Sequence, residues 1–413
     1  MRPRARGVVI VAALAVVYWS AHTMLRPLIA PSMLELGSTA GEASAALAAI
    51  AVLPTLLAIP IGSLTDRFGD RQVMAWGAVG MVVGGLLLLP AELGLAVAGQ
   101  VVVGVGTMAA WVALQATATS PMQATETRDV RNSRIATFSF FVAIGQLVGP
   151  LLGGAVAEAI DYRASFAVFV GLSVVLLAVT WWLPSAAHQP PSPDHASRTA
   201  PLGRLTGSYA DAFRLMRRRG VGLTVLASFV ALVALDLRMA FHPIYLSDIG
   251  YSPVWVGALL SAAAGCAFLS RPVFTLLVRR LPSSVLVGLV LGFGSVTVGA
   301  VVLTESIGIL LVLAALNGFA LGLAQPLTLA LMAEHTDQAE RGLAAGVRSM
   351  GNRLAQLVDP IAFGILLAVV GTQSAFLVMG SALLVLSVVT AVAFGRLRHR
   401  SIPDVPHPVA IDA

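Results

Sequence analysis

The feature that most constrains this chain is a series of apolar runs, each about twenty residues long, that recurs from one end to the other. As a helix, a run of that length can cross a hydrocarbon layer about 30 Å thick. Hydrophobic residues make up 57% of the 413 residues and charged residues only 11%, too few to cover the surface of a water-soluble protein of this size. Because a backbone in lipid must satisfy its own hydrogen bonds, we predict an all-α integral membrane protein.

The apolar runs predict twelve membrane-spanning helices in two sets of six. The polar stretch between the sets has the composition of a solvated linker. We therefore predict an N-terminal six-helix bundle (1–184), a linker (185–220), a C-terminal six-helix bundle (221–400) and a tail (401–413). The predicted spans are 8–29, 43–63, 73–91, 93–115, 135–157, 165–184, 221–246, 254–278, 283–303, 306–332, 344–370 and 373–394.

The positions of the arginines predict the orientation of these spans. All 26 basic residues are arginine; twenty lie in segments on the side of the N-terminus, and only Arg163 lies on the opposite side. Loops rich in arginine stay in the cytoplasm, so we predict cytoplasmic termini, linker and tail, and an even number of spans. The same distribution explains the net charge of +6 without a nucleic-acid partner. We expect a multi-pass protein of a bacterial-type plasma (inner) membrane.

The two predicted halves repeat each other in sequence. A shift of 210 residues aligns Gln146-Leu-Val-Gly-Pro150 with Gln356-Leu-Val-Asp-Pro360, and Gln115 with Gln325. Two halves that run in the same direction are related by an axis along the membrane normal. A substrate site is then expected between them, near the middle of the membrane.

A charged segment follows the second span and reads Gly62-Ser-Leu-Thr-Asp66-Arg67-Phe-Gly69-Asp70-Arg71. It predicts a helix end, a tight turn and a cluster of alternating charge. The segment resembles the loop signature of the major facilitator superfamily, Gly-x-x-x-Asp-Arg-x-Gly-Arg-Arg, and departs from it only in Asp70 at the first position of the final pair. The resemblance implies a conformational latch, in which Asp66 engages the start of the eleventh helix in one state of the transport cycle, with Arg67 and Arg71 in the same charge cluster.

The fifth span carries a stripe of small residues with a proline. Small residues spaced by four allow helices to pack closely in lipid, and the proline kinks the helix. The pattern is similar to the fifth-helix signature of the antiporter branches of the same superfamily. It implies the drug:proton antiporter (multidrug and metabolite efflux) branch, a monomer with the major facilitator fold, and gate-packing residues that face the other half and do not contact the substrate. These residues are Gly145, Gly149, Pro150, Gly153 and Gly154.

Ionisable side chains inside apolar runs are expensive and therefore point to function. We take Asp236, Asp359 and His22 as candidates for proton coupling; Asp359 stands where the first half has a glycine. Asp236 either serves in the cavity or forms a static ion pair with an arginine, and the sequence leaves both open. Arg26 and His242 are expected to approach the outer interface.

The resemblance also implies that the first, fourth, seventh and tenth helices line the substrate cavity. On the eleventh, three polar residues spaced by four share one helix face. The spans hold five arginines against two aspartates, which favours an acid-bearing substrate. Gln100 stands where similar family members carry an arginine implicated in proton coupling, so coupling through the fourth helix is not supported. The candidate cavity residues are Tyr18, His22, Arg26, Gln115, Arg238, Gln325, Arg348, Asn352 and Gln356.

Together these features predict a secondary active transporter that exports a small organic molecule in exchange for protons, by alternating access. The expected partners are the substrate, protons and membrane lipid. One alternative is uptake of a metabolite or organic anion, and another is a non-transporting membrane receptor or partner protein. The sequence shows neither a cluster at metal-ligand spacing nor a nucleophile with its base, so no enzyme, metal or cofactor is expected.

Overall fold

The computed structural model describes residues 3–90, 92–119, 128–182, 213–336 and 341–400, and these residues are almost entirely helical. A π-helical segment (Leu237–Phe241) joins α7 to α8, and a short 3-10 segment (Val301–Leu303) follows α10. The helices are α1 (Pro3–Glu35), α2 (Ala40–Phe68), α3 (Asp70–Leu88), α4 (Leu93–Thr119), α5 (Arg128–Ala159), α6 (Tyr162–Thr180), α7 (Arg219–Asp236), α8 (His242–Asp248), α9 (Pro253–Arg280), α10 (Ser283–Ala300), α11 (Ile307–Glu334) and α12 (Arg341–Arg400).

Among the described residues, eleven helical segments are long and apolar enough to cross a membrane. The last of them, Gly346–Leu397, has 52 residues. At 1.5 Å per residue it would be about 78 Å long if straight, more than twice the thickness of a hydrocarbon core. Gly371 interrupts it with φ 77° and ψ 171°, so α12 consists of two helices joined across a kink. This kink lies between the predicted spans 344–370 and 373–394; the count of twelve spans itself stays a prediction.

Packing divides the helices into two groups. In the first, α1 packs on α5, and α4 packs on both α2 and α3. In the second, α9 packs on α11, and α12 packs on both α7 and α10. The groups meet where α5 packs on α9, where α2 packs on α12, and where α1 contacts the π-helical segment and α8. The predicted domain boundaries stay predictions, since residues 183–212 and 401–413 lie outside the described part of the chain.

Two glycines with positive φ mark the opposite ends of this bundle. Gly37 (φ 82°) lies between α1 and α2, and the adjacent Thr39 caps α2 in a reciprocal pair with Glu42. Gly69 (φ 84°, ψ 154°) separates α2 from α3. Such a conformation is nearly exclusive to glycine, so the chain can reverse there without strain. We call the two sides of the bundle the Gly37 end and the Gly69 end.

Candidate functional site

A buried ion pair joins the two groups of helices. The Nη2 atom of Arg26 in α1 lies 2.9 Å from Oδ2 of Asp236 in α7, and the two side chains are 10% and 5% exposed. Arg26 lies nine residues before the end of α1, about 13 Å along the axis. Its approach to the outer interface stays a prediction. The structure shows Asp236 in an ion pair, and its service in transport stays a prediction.

Asp359 lies deeply buried in α12, with 1% of its surface exposed. Within the described residues, neither of its carboxylate oxygens has a hydrogen-bond partner. The charges of Asp236 and Arg26 act on it electrostatically. Its counterpart in the first half, Gly149, packs so closely on α1 that a Cβ there would meet the Thr23 hydroxyl. The second half thus buries a carboxylate where the first half leaves no room for any side chain.

Four further polar side chains belong to the same helix, α12. Arg353 donates from Nη1 to Oε1 of Gln356 at 2.9 Å, and its charge acts on Asp236. Arg348 Nε and Asn352 Oδ1 are buried and have no hydrogen-bond partner among the described residues. Sequence reasoning left Arg353 off the list of site residues. Arg353 has the same sequence feature as the named candidates, since it is an arginine inside an apolar run.

An aromatic wall flanks the ion pair on the side of the first half. The ring of Tyr18 stacks on His22 (5.8 Å between centroids) and on Trp111 (5.6 Å), and Trp19 meets Trp111 edge-on at 5.0 Å. The Tyr18 hydroxyl donates to the Thr107 carbonyl oxygen at 2.9 Å, which fixes α1 against α4. Trp111 is a second residue that sequence reasoning missed. Its position one helical turn before Gln115, on a predicted cavity helix, was the available signal.

Three other predicted cavity residues have surroundings of their own. Gln115 in α4 and Gln325 in α11, which the 210-residue shift relates, are both exposed. Arg238 turns into the second group, where its Nη1 donates to Oδ1 of Asn317 at 2.8 Å. His242 is buried, with Nε2 3.3 Å from the Val298 carbonyl oxygen, and its approach to the outer interface stays a prediction.

The predicted latch segment is described only in part. Of Gly62 only its place in α2 is described, and the side chains of Asp66 and of Arg341, at the start of α12, lie outside the described part of the structure. Arg67 lies over the ring of its neighbour Phe68 at 5.2 Å, and Arg71 lies over Trp181 at 4.9 Å. Arg71 therefore packs on the end of α6 by a cation–π contact.

The aspartate that departs from the family signature has a structural role of its own. Asp70 is the first residue of α3, and its Oδ2 accepts a hydrogen bond from Thr117 Oγ1 in α4 at 3.2 Å. A carboxylate in the first turn of a helix also interacts favourably with the helix dipole. Asp70 thus ties the Gly69 turn to α4.

The small-residue stripe of α5 serves two interfaces rather than one. Gly145, Gly149 and Gly153 face α1 of their own group, which corrects the expectation that the whole stripe faces the other half. Pro150 and Gly154 face α9: a Cβ at Gly154 would meet the Pro253 carbonyl. The reason is helical geometry. Residues four apart share a face, whereas Gly154 is rotated by about 100° from Gly153.

Comparisons with known proteins agree with this architecture. A family model described as Major Facilitator Superfamily matches residues 11–303 and 283–410. No curated protein matches the chain. Its fold is similar to the crystal structure of a POT family transporter in complex with a thioalcohol-conjugated peptide (TM-score 0.78, 13% identity, covering 95% of this chain and 96% of that one).

Two other solved structures share the fold. One is a peptide transporter POT in complex with sulfate (TM-score 0.76, 16% identity, covering 95% of both chains). The other is a nucleoside transporter (TM-score 0.76, 13% identity, covering 94% of this chain and 99% of that one). At these identities the similarity establishes the fold alone.

Proposed function

The chain belongs to the major facilitator superfamily, and on that premise we propose that it moves a small organic molecule across the membrane by alternating access, coupled to protons. Membership makes it a multi-pass membrane protein of the transporter type and supports the expectation that it is not an enzyme. The observation that carries the rest is the buried Arg26–Asp236 ion pair between the two groups of helices.

The ion pair offers a physical link between proton binding and movement of the two halves. If the halves rock apart at this contact, both charges lose their partner. Removal of one partner from a buried ion pair typically costs about 3–5 kcal/mol. A proton on Asp236 would remove one of the two charges, so protonation and separation of the halves would favour each other.

Asp359 is the second proposed coupling residue. Its oxygens have neither a hydrogen-bond donor nor a cation within hydrogen-bonding range among the described residues. The carboxylate would therefore bind a proton. Because Asp236 acts on it electrostatically, a proton on one carboxylate affects the binding of a proton to the other. His22, stacked on Tyr18, is the third candidate.

For the orientation, we propose twelve spans with both termini in the cytoplasm of a bacterial-type cell. The twenty-to-one division of loop arginines supports this orientation, and the kink at Gly371 supports the even count. In that orientation the Gly69 end is cytoplasmic. The predicted latch of Gly62, Asp66, Arg67, Gly69 and Arg71 would then stabilise the state closed at the cytoplasmic side.

The direct test is substrate-driven proton movement in proteoliposomes. The substrate is first found by counterflow against a library of small organic compounds. We expect Asp236→Asn and Asp359→Asn to abolish or uncouple the substrate-driven pH change, because each variant removes a carboxylate that can exchange a proton. The matched control is Asp161→Asn, since Asp161 caps α6 at the surface and asparagine caps a helix equally well. If both site variants keep the full pH change, this coupling assignment is wrong.

Uptake of an organic anion is the second candidate function. Its support is the surplus of arginines within the spans, where Arg348 and Arg353 have no carboxylate within ion-pair distance among the described residues. The aromatic wall of Tyr18, Trp19 and Trp111 could bind the ring of an aromatic acid. Counterflow of aromatic carboxylates but not of cationic dyes would favour this candidate over export of a cationic drug. A receptor or partner protein would show no counterflow with any compound.

A further inference from the structure

The second group of helices contains a small cavity beside Arg238. It is lined by side chains of the π-helical segment, of the 3-10 segment and of α8, α9, α10 and α11. Its volume is about 20 Å³, and roughly 10–15 Å³ is enough for one water-sized occupant. Apolar side chains such as Leu259, Leu260 and Leu310 line most of it, and at this volume a substrate-sized organic molecule does not fit.

One cation faces this cavity. Arg238 is 5% exposed and lines the cavity. Its Nη1 donates to Asn317, while its Nε is buried without a hydrogen-bond partner among the described residues. The guanidinium group does not lose its proton in proteins, so the positive charge stays.

The surrounding residues give Arg238 no counter-charge. In the described part of the chain no carboxylate lies within ion-pair distance of it, and Asp236, two residues earlier, is paired with Arg26 instead. Asn317 is neutral, and its amide nitrogen donates to Thr297 Oγ1 at 2.8 Å and to the Gly294 carbonyl at 3.1 Å. The network therefore positions the arginine without neutralising it, although a buried charge ordinarily requires a partner of opposite sign.

We propose that this cavity binds a monovalent inorganic anion of halide size, held by the guanidinium group of Arg238, which lines it. A halide is little larger than water, carries the charge that Arg238 lacks nearby, and accepts hydrogen bonds from a guanidinium group. All of the lining residues belong to the second group of helices, and the anion is separate from the proposed substrate and protons. Its occupancy would stabilise the second half.

The test measures the thermal unfolding midpoint of the purified full-length protein in detergent. Chloride is titrated against gluconate, which is too large for the cavity, at constant sodium concentration and ionic strength. We expect a saturable rise of a few degrees with chloride and with bromide. Arg238→Met should abolish the halide response. Arg271→Gln, which alters another half-buried arginine that does not line the cavity, should retain it.

A wild-type midpoint that is the same in chloride and gluconate would overturn the proposal, as would an undiminished halide response in Arg238→Met. If that variant does not fold, crystals of the wild-type protein grown in bromide decide the question. An anomalous peak in the cavity within hydrogen-bonding distance of the Arg238 guanidinium supports the site. A water molecule alone at that position refutes it.

Discussion

At the scale of single residues, the two membrane-embedded aspartates differ in their surroundings. Asp236 has a charged partner at 2.9 Å, whereas Asp359 has no hydrogen-bond partner among the described residues. The sequence predicted that both are important but not this difference. Both are isolated aspartates in apolar runs, and only the rotation of each helix decides what the carboxylate meets.

This difference predicts a large loss of stability for one variant and a small change for the other. Asp236→Asn should destabilise the protein by about 3–5 kcal/mol, because Arg26 stays buried without its counter-charge. The double variant Asp236→Asn, Arg26→Gln should lose less unfolding free energy than the sum of the losses of the two single variants, because it leaves no unpaired charge. Asp359→Asn should change stability by less than about 1 kcal/mol, since it breaks no ion pair or hydrogen bond shown by the described residues.

Unfolding in mixed detergent micelles measures these free energies, with Arg163→Gln as the control for loss of an exposed arginine. Additive effects of Arg26→Gln and Asp236→Asn would show that the two residues do not interact in solution.

At the scale of helices, glycines decide which helices approach closely. Sequence reasoning identified the stripe in α5 correctly as a packing feature but assigned all of it to the contact between the halves. Gly364 in α12, the repeat counterpart of Gly154, has a parallel role: a Cβ there would meet the side chain of Ser44 in α2. The two contacts, α5 with α9 and α2 with α12, are thus built from equivalent glycines.

The α5–α9 contact yields a prediction for Gly154. Gly154→Ala places a methyl group against the Pro253 carbonyl, and we expect a loss of about 1–3 kcal/mol in stability together with impaired transport. The control is Gly171→Ala in α6, where a Cβ meets no atom within 4 Å. Alanine is the better helix former, so the control should be neutral or slightly stabilising. Equal unfolding free energies for the two variants would contradict the close approach of α5 and α9.

At the scale of the whole molecule, the proposed orientation places the Gly37 end outside the cell and the Gly69 end in the cytoplasm. Ser38 lies at the first end and Glu334 at the second, and both are accessible. In a Cys266→Ser background, Ser38→Cys should react with a membrane-impermeant maleimide in intact cells. Glu334→Cys should react only after permeabilisation. The reverse pattern would place both termini outside.

The parts of this protein that depend on local physics can be predicted from the sequence alone. Apolar runs of about twenty residues make helices, because a helix in lipid satisfies its backbone hydrogen bonds within one segment. The 210-residue repeat and the loop motifs were enough to expect the superfamily to which the chain belongs. The break at Gly371 lies where the sequence predicted a gap between two spans.

Which side chains meet could not be predicted from the sequence and is seen in the folded protein. It pairs Arg26 with Asp236, turns Arg238 toward Asn317, and divides the α5 stripe between α1 and α9. The physical reason is that lipid and neighbouring helices are equally apolar, so composition along a span carries little information about which face packs inward. The rotation of each helix is set by contacts between residues far apart in the chain, 79 positions for Arg238 and Asn317 and 210 for Arg26 and Asp236, and these rotations determine the site.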